Sequence, residues 1–550
     1  MKKNLTVWNL FSVVILAAFA LFIMYPIFLI LYRSVIHGDT GVLTLQNFDH
    51  FFAKKFYWGT MVNSLKVTVV STILSAALGL PLAYLMRSVK IKGSSFLNIL
   101  IVISYLSPPF IGAYAWIQML GRQGVITQFL NDTFGLHYGG VYGFAGIVLV
   151  FTLQSFPLVY IYVSGALKNL DNSLNEAAES LGCSRMGRIW KIIVPLVMPT
   201  LLASSMLVFM RVFADFGTPM LIGEGYKTLP VLIYNQFMGE VSGDDGFAAA
   251  ICCIVIGLTI VMFFVQRFLA GRNTYAMTAL KPMAAESLGG LRNILAHLAV
   301  YMVVGLAILP QFVVVYTSFL ATNGGQVFTG GFALQSYDAT LFAKDNDVIW
   351  HTYFLGLCAI AAVLVLGVLI AYLSVRKRNT LNSILDVMTM FPFIIPGSVL
   401  GIAFVFAFNK SPIILTGTAL IMIISFAVRR MPYTVRSSTA ILGNISPSIE
   451  EAAISLGASD MTTFRKITVP MMMPGVLSGA IMSWVTIISE LSSSIILYTN
   501  STQTLTVSIY TEVIRGNYGN ASAYATILTV TSILSLLLFY KVTGRRDVSV

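Results

Sequence analysis

"EAAESLGCSRMGRIWKIIVPLVMP" (Glu176–Pro199) and "EAAISLGASDMTTFRKITVPMMMP" (Glu451–Pro474) are one pattern written twice, the second copy 275 residues after the first. Each begins within a serine-x-x-glutamate box, Ser173 to Glu176 and Ser448 to Glu451. In such a box the serine caps the first free amides of a helix and the glutamate reaches back to the cap. Small residues follow (Ala177, Ala178; Ala452, Ala453), then Leu181 or Leu456, then Gly182 or Gly457. Glycine is the usual way for a helix to end in a left-handed turn. A basic segment then runs to Pro195 or Pro470, and Pro199 or Pro474 opens the next apolar run. Each copy therefore predicts a short capped helix, a sharp turn, and a second helix that leads into apolar sequence.

The rest of the chain explains what these polar stretches interrupt. Of 550 residues, 57% are hydrophobic and only 10% are charged, whereas a soluble domain carries about 25% charged residues. Apolar runs long enough to cross a bilayer recur throughout. The chain reads as an all-α, polytopic membrane protein. Its first apolar run reaches about Tyr32, too long for a signal-peptide core, and is read as a retained first helix. Cys183, Cys252, Cys253 and Cys358 fit no disulfide or metal spacing. His37, His50, His137, His297 and His351 are scattered, so no resident metal and no catalytic constellation is expected. No phosphate-binding loop occurs, so any ATP is expected to bind elsewhere than on this chain.

About twelve spans are expected, near 9–32, 62–86, 97–120, 141–166, 196–216 and 247–266, then 294–320, 352–375, 384–407, 413–428, 473–497 and 521–540. With both termini in the cytoplasm, most Lys and Arg residues, Arg429 and Arg430 among them, fall in cytoplasmic segments, the positive-inside pattern. That distribution absorbs the net charge of +12 without a nucleic-acid partner. Both repeated stretches lie on the cytoplasmic side.

The duplication reaches further. "LGLPLAYLMR" (Leu78–Arg87) matches "LGVLIAYLSVR" (Leu366–Arg376), and "KTLPVLIYNQF" (Lys227–Phe237) matches "QTLTVSIYTEV" (Gln503–Val513), in the same order. The first helix of each half shows little similarity. Six spans per half give both copies one orientation, so the halves are parallel repeats about an axis near the membrane normal, with a pathway expected along that axis. The expected organisation is a first half at 1–270 with its loop at 173–195, a cytoplasmic linker at 271–291, and a second half at 292–550 with its loop at 448–470.

An "EAA" followed by glycine four residues beyond the second alanine, with a hydrophobic-proline ending, resembles the signature cytoplasmic loop of permease subunits of binding-protein-dependent ABC importers. The resemblance covers nearly the whole chain and implies the type I ABC importer permease fold. It implies that Glu176, Ala177, Ala178 and Gly182, and again Glu451, Ala452, Ala453 and Gly457, form coupling helices seated on two ATP-binding cassette subunits. It also implies an extracytoplasmic solute-binding protein and a bacterial inner membrane. A twelve-helix secondary transporter is the rival; it leaves the duplicated loops unexplained, and copurification with an ATPase separates the two.

Within the family, the fused two-half form and "RVFADFGTPMLIG" (Arg211–Gly223) resemble ferric iron(III) permeases, while "ISELSSSIILYT" (Ile488–Thr499) departs from them. Ferric iron is the expected cargo, with a phosphorylated organic solute or thiamine as the alternative. Ionisable residues in membrane spans are functional candidates by default. Asp215 and Glu490 align across the repeat, and paired acids suit a cation; Arg211, one turn before Asp215, suits a phosphate. Mutual neutralisation of Arg211 and Asp215 is the plain structural alternative.

Overall fold

The computed structural model describes residues 7–36, 41–135, 139–239, 245–270, 285–323, 327–342 and 347–543. His37, His137 and most of the expected linker lie outside the described residues. Helix α1 (Val7–Ser34) is followed by α2 (Lys55–Ser88), α3 (Ser94–Leu106), α4 (Pro109–Leu120), α5 (Gly143–Lys168), α6 (Ser173–Ser180), α7 (Arg185–Phe213) and α8 (Asp245–Ala270). The second half supplies α9 (Gly290–Ser318), α10 (Val348–Arg376), α11 (Thr380–Met388), α12 (Gly397–Phe408), α13 (Ala419–Asn444), α14 (Ser448–Ser455), α15 (Asp460–Ile488) and α16 (Tyr518–Thr543). A short antiparallel hairpin, Leu320–Asn323 with Val327–Phe332, follows α9.

Among the described residues nine helices are long and apolar enough to cross a membrane, and two bent pairs bring the number to eleven. The bent pairs are the expected third and ninth spans. One breaks by 99° between α3 and α4, the other by 111° ahead of α12. The cause is local. Pro108 and Pro396 cannot continue a helix, and each holds the preceding residue extended (Ser107 ψ 137°, Ile395 ψ 125°).

Helix α13, the counterpart of α5, is not one of these eleven. The expected tenth span, 413–428, is corrected: the helix starts at Ala419 and continues to Asn444. Arg429 and Arg430 therefore lie in mid-helix rather than in the loop after it. The apolar run ahead of the helix drew the expected boundary too early.

Two compact units form, and they do not follow the sequence halves. One contains Met1–Ala53, Ile233–Ile256 and Gln335–Arg546; the other contains Lys54–Leu232 and Gly257–Leu334. In the first, α1 packs on α10, α11 and α12; in the second, α9 packs on α2, α3 and α4. Each half thus lends its first helix to the unit built on the other half's helices. The repeat in sequence and the unit in space differ by this exchange and by Ile233–Ile256, a stretch of the first half that belongs to the first unit.

Within each unit three helices pack closely, α2 with α5 and α7, and α10 with α13 and α15. Small residues permit the approach, as is general where lipid gives no hydrophobic drive between helices. A Cβ on Gly79 would lie 2.7 Å from Val159 Cβ, and one on Gly479 would lie 2.6 Å from Thr434 Cα.

Candidate functional site

The two repeated loops fold alike, residue for residue. Helices α6 and α14 begin and end at equivalent positions, and the chain then turns through Gly182 (φ +78°) and Gly457 (φ +92°). This is the left-handed region, which costs a residue with a Cβ roughly 1–2 kcal/mol. The next helices start with matching caps: Ser184 accepts the Gly187 amide at 3.2 Å, and Ser459 accepts the Thr462 amide at 3.2 Å. Both α7 and α15 then widen into a π-turn, at Ile189–Ile193 and Phe464–Thr468.

The expected capping boxes do not form. The N-cap positions are Asn172 and Pro447, so Ser173 and Ser448 are the first helical residues, one place too late to cap. The Ser173 amide donates to Asp171 Oδ1 at 2.9 Å instead, and Asn172 Nδ2 donates to Glu176 Oε1 at 2.9 Å. In the second copy Ser448 shares a hydrogen bond with Ser446.

Glu176, Ala178 and Ala453 are half-buried, while Ala177, Gly182, Glu451, Ala452 and Gly457 are exposed. The most exposed apolar side chains sit at the turns, Leu181 at 88% and Leu456 at 90%. Leu174 in the first loop, and Ile449 and Ile454 in the second, are exposed as well. Apolar side chains displayed on an ordered polar loop are suited to a partner's cleft. Their contribution is geometric: the glycine turn fixes the leucine at the tip.

The aligned acids share a different arrangement. Asp215 accepts the Thr218 amide at 2.9 Å, at the start of helix Gly217–Ile222. Glu490 accepts the Ser493 amide at 3.2 Å, at the start of helix Ser494–Leu497. Each caps the short helix that follows its span. Arg211 is half-buried, with its guanidinium 4.8 Å from the centre of the Tyr105 ring.

Sequence reasoning missed the partners of Glu490. Its carboxylate, 2% exposed, pairs with both Arg429 and Arg430 of α13. Arg429 is accommodated because residue 397, at the start of α12, is glycine; a Cβ there would press on the guanidinium and lie 2.7 Å from Ser492 Cβ. Two guanidiniums on one carboxylate leave this buried cluster one positive charge in excess. The equivalents of Arg429 and Arg430 in α5 are Gln154 and Ser155, so the first unit has no such cluster at these positions. The mid-helix arginines were the available signal, hidden by the misplaced tenth span. Among the described residues no three His, Cys, Asp or Glu side chains converge so as to hold a metal ion.

Residues 75–275 and again 363–546 match the family described as "Binding-protein-dependent transport system inner membrane component". The ferric transport system permease protein FbpB of Actinobacillus pleuropneumoniae is 30% identical over 546 residues, covering 97% of this chain and 78% of the relative. The Fe(3+)-transport system permease protein FbpB 2 of Haemophilus influenzae is 25% identical, covering 87% of this chain and 89% of the relative. The molybdenum transport system permease protein ModB of Escherichia coli K12 is 28% identical over 218 residues, 39% of this chain and 93% of that relative.

Proposed function

The chain belongs to the family of binding-protein-dependent transport system inner membrane components, the permeases of ABC importers, and from that premise we propose that its cargo is ferric iron. The observation that carries the cargo is the near full-length similarity to permeases named for ferric transport. The chain is a multi-pass membrane protein and a transport permease; both termini are assigned to the cytoplasmic side of a bacterial inner membrane.

Two ATP-binding cassette subunits hydrolyse ATP outside this chain. They receive Glu176, Ala177, Ala178 and Gly182 in one cleft, and Glu451, Ala452, Ala453 and Gly457 in another. The exposed Leu181 and Leu456 support this reading, since each places an apolar tip where a cleft would bury it. Closure of the ATPase pair moves the loops as rigid bodies and opens the permease alternately to either side. Reversing such an equilibrium from 1:99 to 99:1 needs about 5.5 kcal/mol of differential binding. An extracytoplasmic solute-binding protein delivers the iron. Arg211, Asp215 and Glu490 are assigned to the neighbourhood of the cargo's path.

One observation favours a second reading, a phosphorylated organic solute: the excess positive charge of the Arg429–Arg430–Glu490 cluster suits an anion. Uptake into proteoliposomes holding this chain, its ATPase and its binding protein separates the two. ATP-dependent entry of ferric iron, with no entry of a phosphonate, a sugar phosphate or thiamine, is the expected outcome. Entry of one of those solutes without iron would overturn the cargo assignment.

A further inference from the structure

The two loops share their helix bounds but not their bracing. In the second, Arg376, the last residue of α10, donates from Nε to Glu450 Oε1 at 2.9 Å and from Nη2 to the Ile445 carbonyl at 2.7 Å. The side chains of this pair are 10% and 12% exposed. The next residue, Lys377, donates to Asp460 Oδ2 at 2.9 Å, at the start of α15. Above these pairs Trp8 of α1 packs on Tyr372 and Phe464, with ring centroids 4.7 and 5.2 Å away, and Tyr372 lies 4.7 Å from Phe464. The Lys377 ammonium sits 5.8 Å from the Trp8 ring. Both limbs of the second loop are therefore tied to one point, the end of α10.

The first loop lacks the chemistry for these ties. In the register of Gly79 with Gly367 and Tyr84 with Tyr372, which ends α2 and α10 together, Ser88 stands where Arg376 would be and Val89 where Lys377 would be, while Arg87, one place earlier, leaves its buried Nε without a hydrogen bond. The loop repeat places Asn175 at the position of Glu450, Arg185 at that of Asp460, and Ile189 at that of Phe464. Neither ion pair can be made from these residues. The first loop is braced within itself instead: Glu179 of α6 pairs with Arg188 of α7, where the second loop has Ile454 and Thr463.

We infer that the second loop is a rigid extension of α10, held by Arg376, Lys377 and Trp8 as positioning residues, while the first loop turns about the end of α2 as a self-braced body. The inference rests on the coupling role proposed above. It makes the two ATPase subunits unequal: one drives α10 directly, and the other drives α2 through a joint. A buried pair broken on one side is far more costly than an exposed one, so the tie at Arg376 and Glu450 is the one to test.

The experiment uses the full complex with both ATPase subunits in lipid nanodiscs, in a background where Cys183, Cys252, Cys253 and Cys358 are replaced by alanine. Spin labels at R378C and S455C report the second loop against α10; labels at K90C and S180C report the first loop against α2. The expected result is a 378–455 distance that is the same without nucleotide and after trapping with ADP–vanadate, and a 90–180 distance that shifts. E450N broadens the 378–455 distribution about twofold and makes its mean nucleotide-dependent, as a freed local segment would. E450D, which keeps the charge, leaves it narrow. Equal shifts in both distances, or an E450N distribution as narrow as the wild type, would overturn the inference. Failure of any ATPase subunit to copurify would overturn the coupling role itself, and the E450N and E450D widths in the chain alone would still decide the tether.

Discussion

Replacing Glu490 with glutamine is the sharpest test of the buried charge cluster. The carboxylate receives Arg429, Arg430, the Ser493 amide at 3.2 Å and the Ser493 hydroxyl at 3.4 Å. Glutamine offers one acceptor oxygen and turns an amide NH2 towards at least one guanidinium. Two cations, 12% and 18% exposed, then remain without a counter-charge. Removing one partner of a buried pair costs about 3–5 kcal/mol, while replacing the whole group by apolar residues of similar size is close to neutral. E490Q is therefore expected to lose about 3–5 kcal/mol, and E490Q/R429M/R430M to recover most of it. E224Q is the control: Glu224 meets Arg122 at 2.8 Å with the two side chains 38% and 63% exposed, so its loss costs about 1 kcal/mol or less. Unfolding in mixed micelles, followed by tryptophan fluorescence, gives all three values. A stable E490Q, or a triple variant as unstable as the single one, would refute the reasoning that an uncompensated buried charge dominates this site.

Three further outcomes follow from the geometry. G79A, whose new Cβ would lie 2.7 Å from Val159 Cβ and 3.0 Å from the Phe156 carbonyl, should lower stability by about 1–3 kcal/mol; G165A, which meets nothing within 4 Å, should be neutral or slightly stabilising in the same melting assay. G182W and G457W, at open positions with φ of +78° and +92°, should express and insert normally. Their ATP-driven uptake in proteoliposomes should fall at least about tenfold while hydrolysis continues; full uptake would remove the turn from the coupling mechanism. E179A, whose carboxylate is 64% exposed, should change stability by no more than about 1 kcal/mol, and a larger loss in thermal melting would show that the brace of the first loop is not a surface pair in energetic terms.

The sequence carried the duplication unusually far. The glycine turns, the serine caps at Ser184 and Ser459 and the two π-turns repeat in space because each depends on neighbours within a few residues. The capping boxes were misread by one position: the motif specifies spacing, but it does not say which residue first adopts helical angles. Proline marked both broken spans, at Pro108 and Pro396, yet apolar content alone made each look continuous. The tenth span illustrates a different limit. The rule that basic residues avoid apolar spans puts Arg429 and Arg430 in a loop, whereas they lie in mid-helix and share one buried carboxylate, that of Glu490, distant in sequence. The tether of the second loop needed three elements to be seen together, so Glu450 and Asp460 looked like ordinary loop acids. The exchange of first helices had no signal at all, since those helices are the part of the repeat with least similarity.

That exchange sets a timetable for making the protein. Helix α1 is complete at Ser34, but the helices it packs against begin only at Val348. At ribosomal speed the intervening chain takes roughly 15–60 s to synthesise. In water an apolar helix waiting that long would aggregate; in a bilayer the lipid tails solvate it until its partners arrive. Chains that stop short of α10 keep α1 in the membrane without any of these partners. Helices of the second half thus certify the first, and a half-finished copy of this permease cannot pass for a working one.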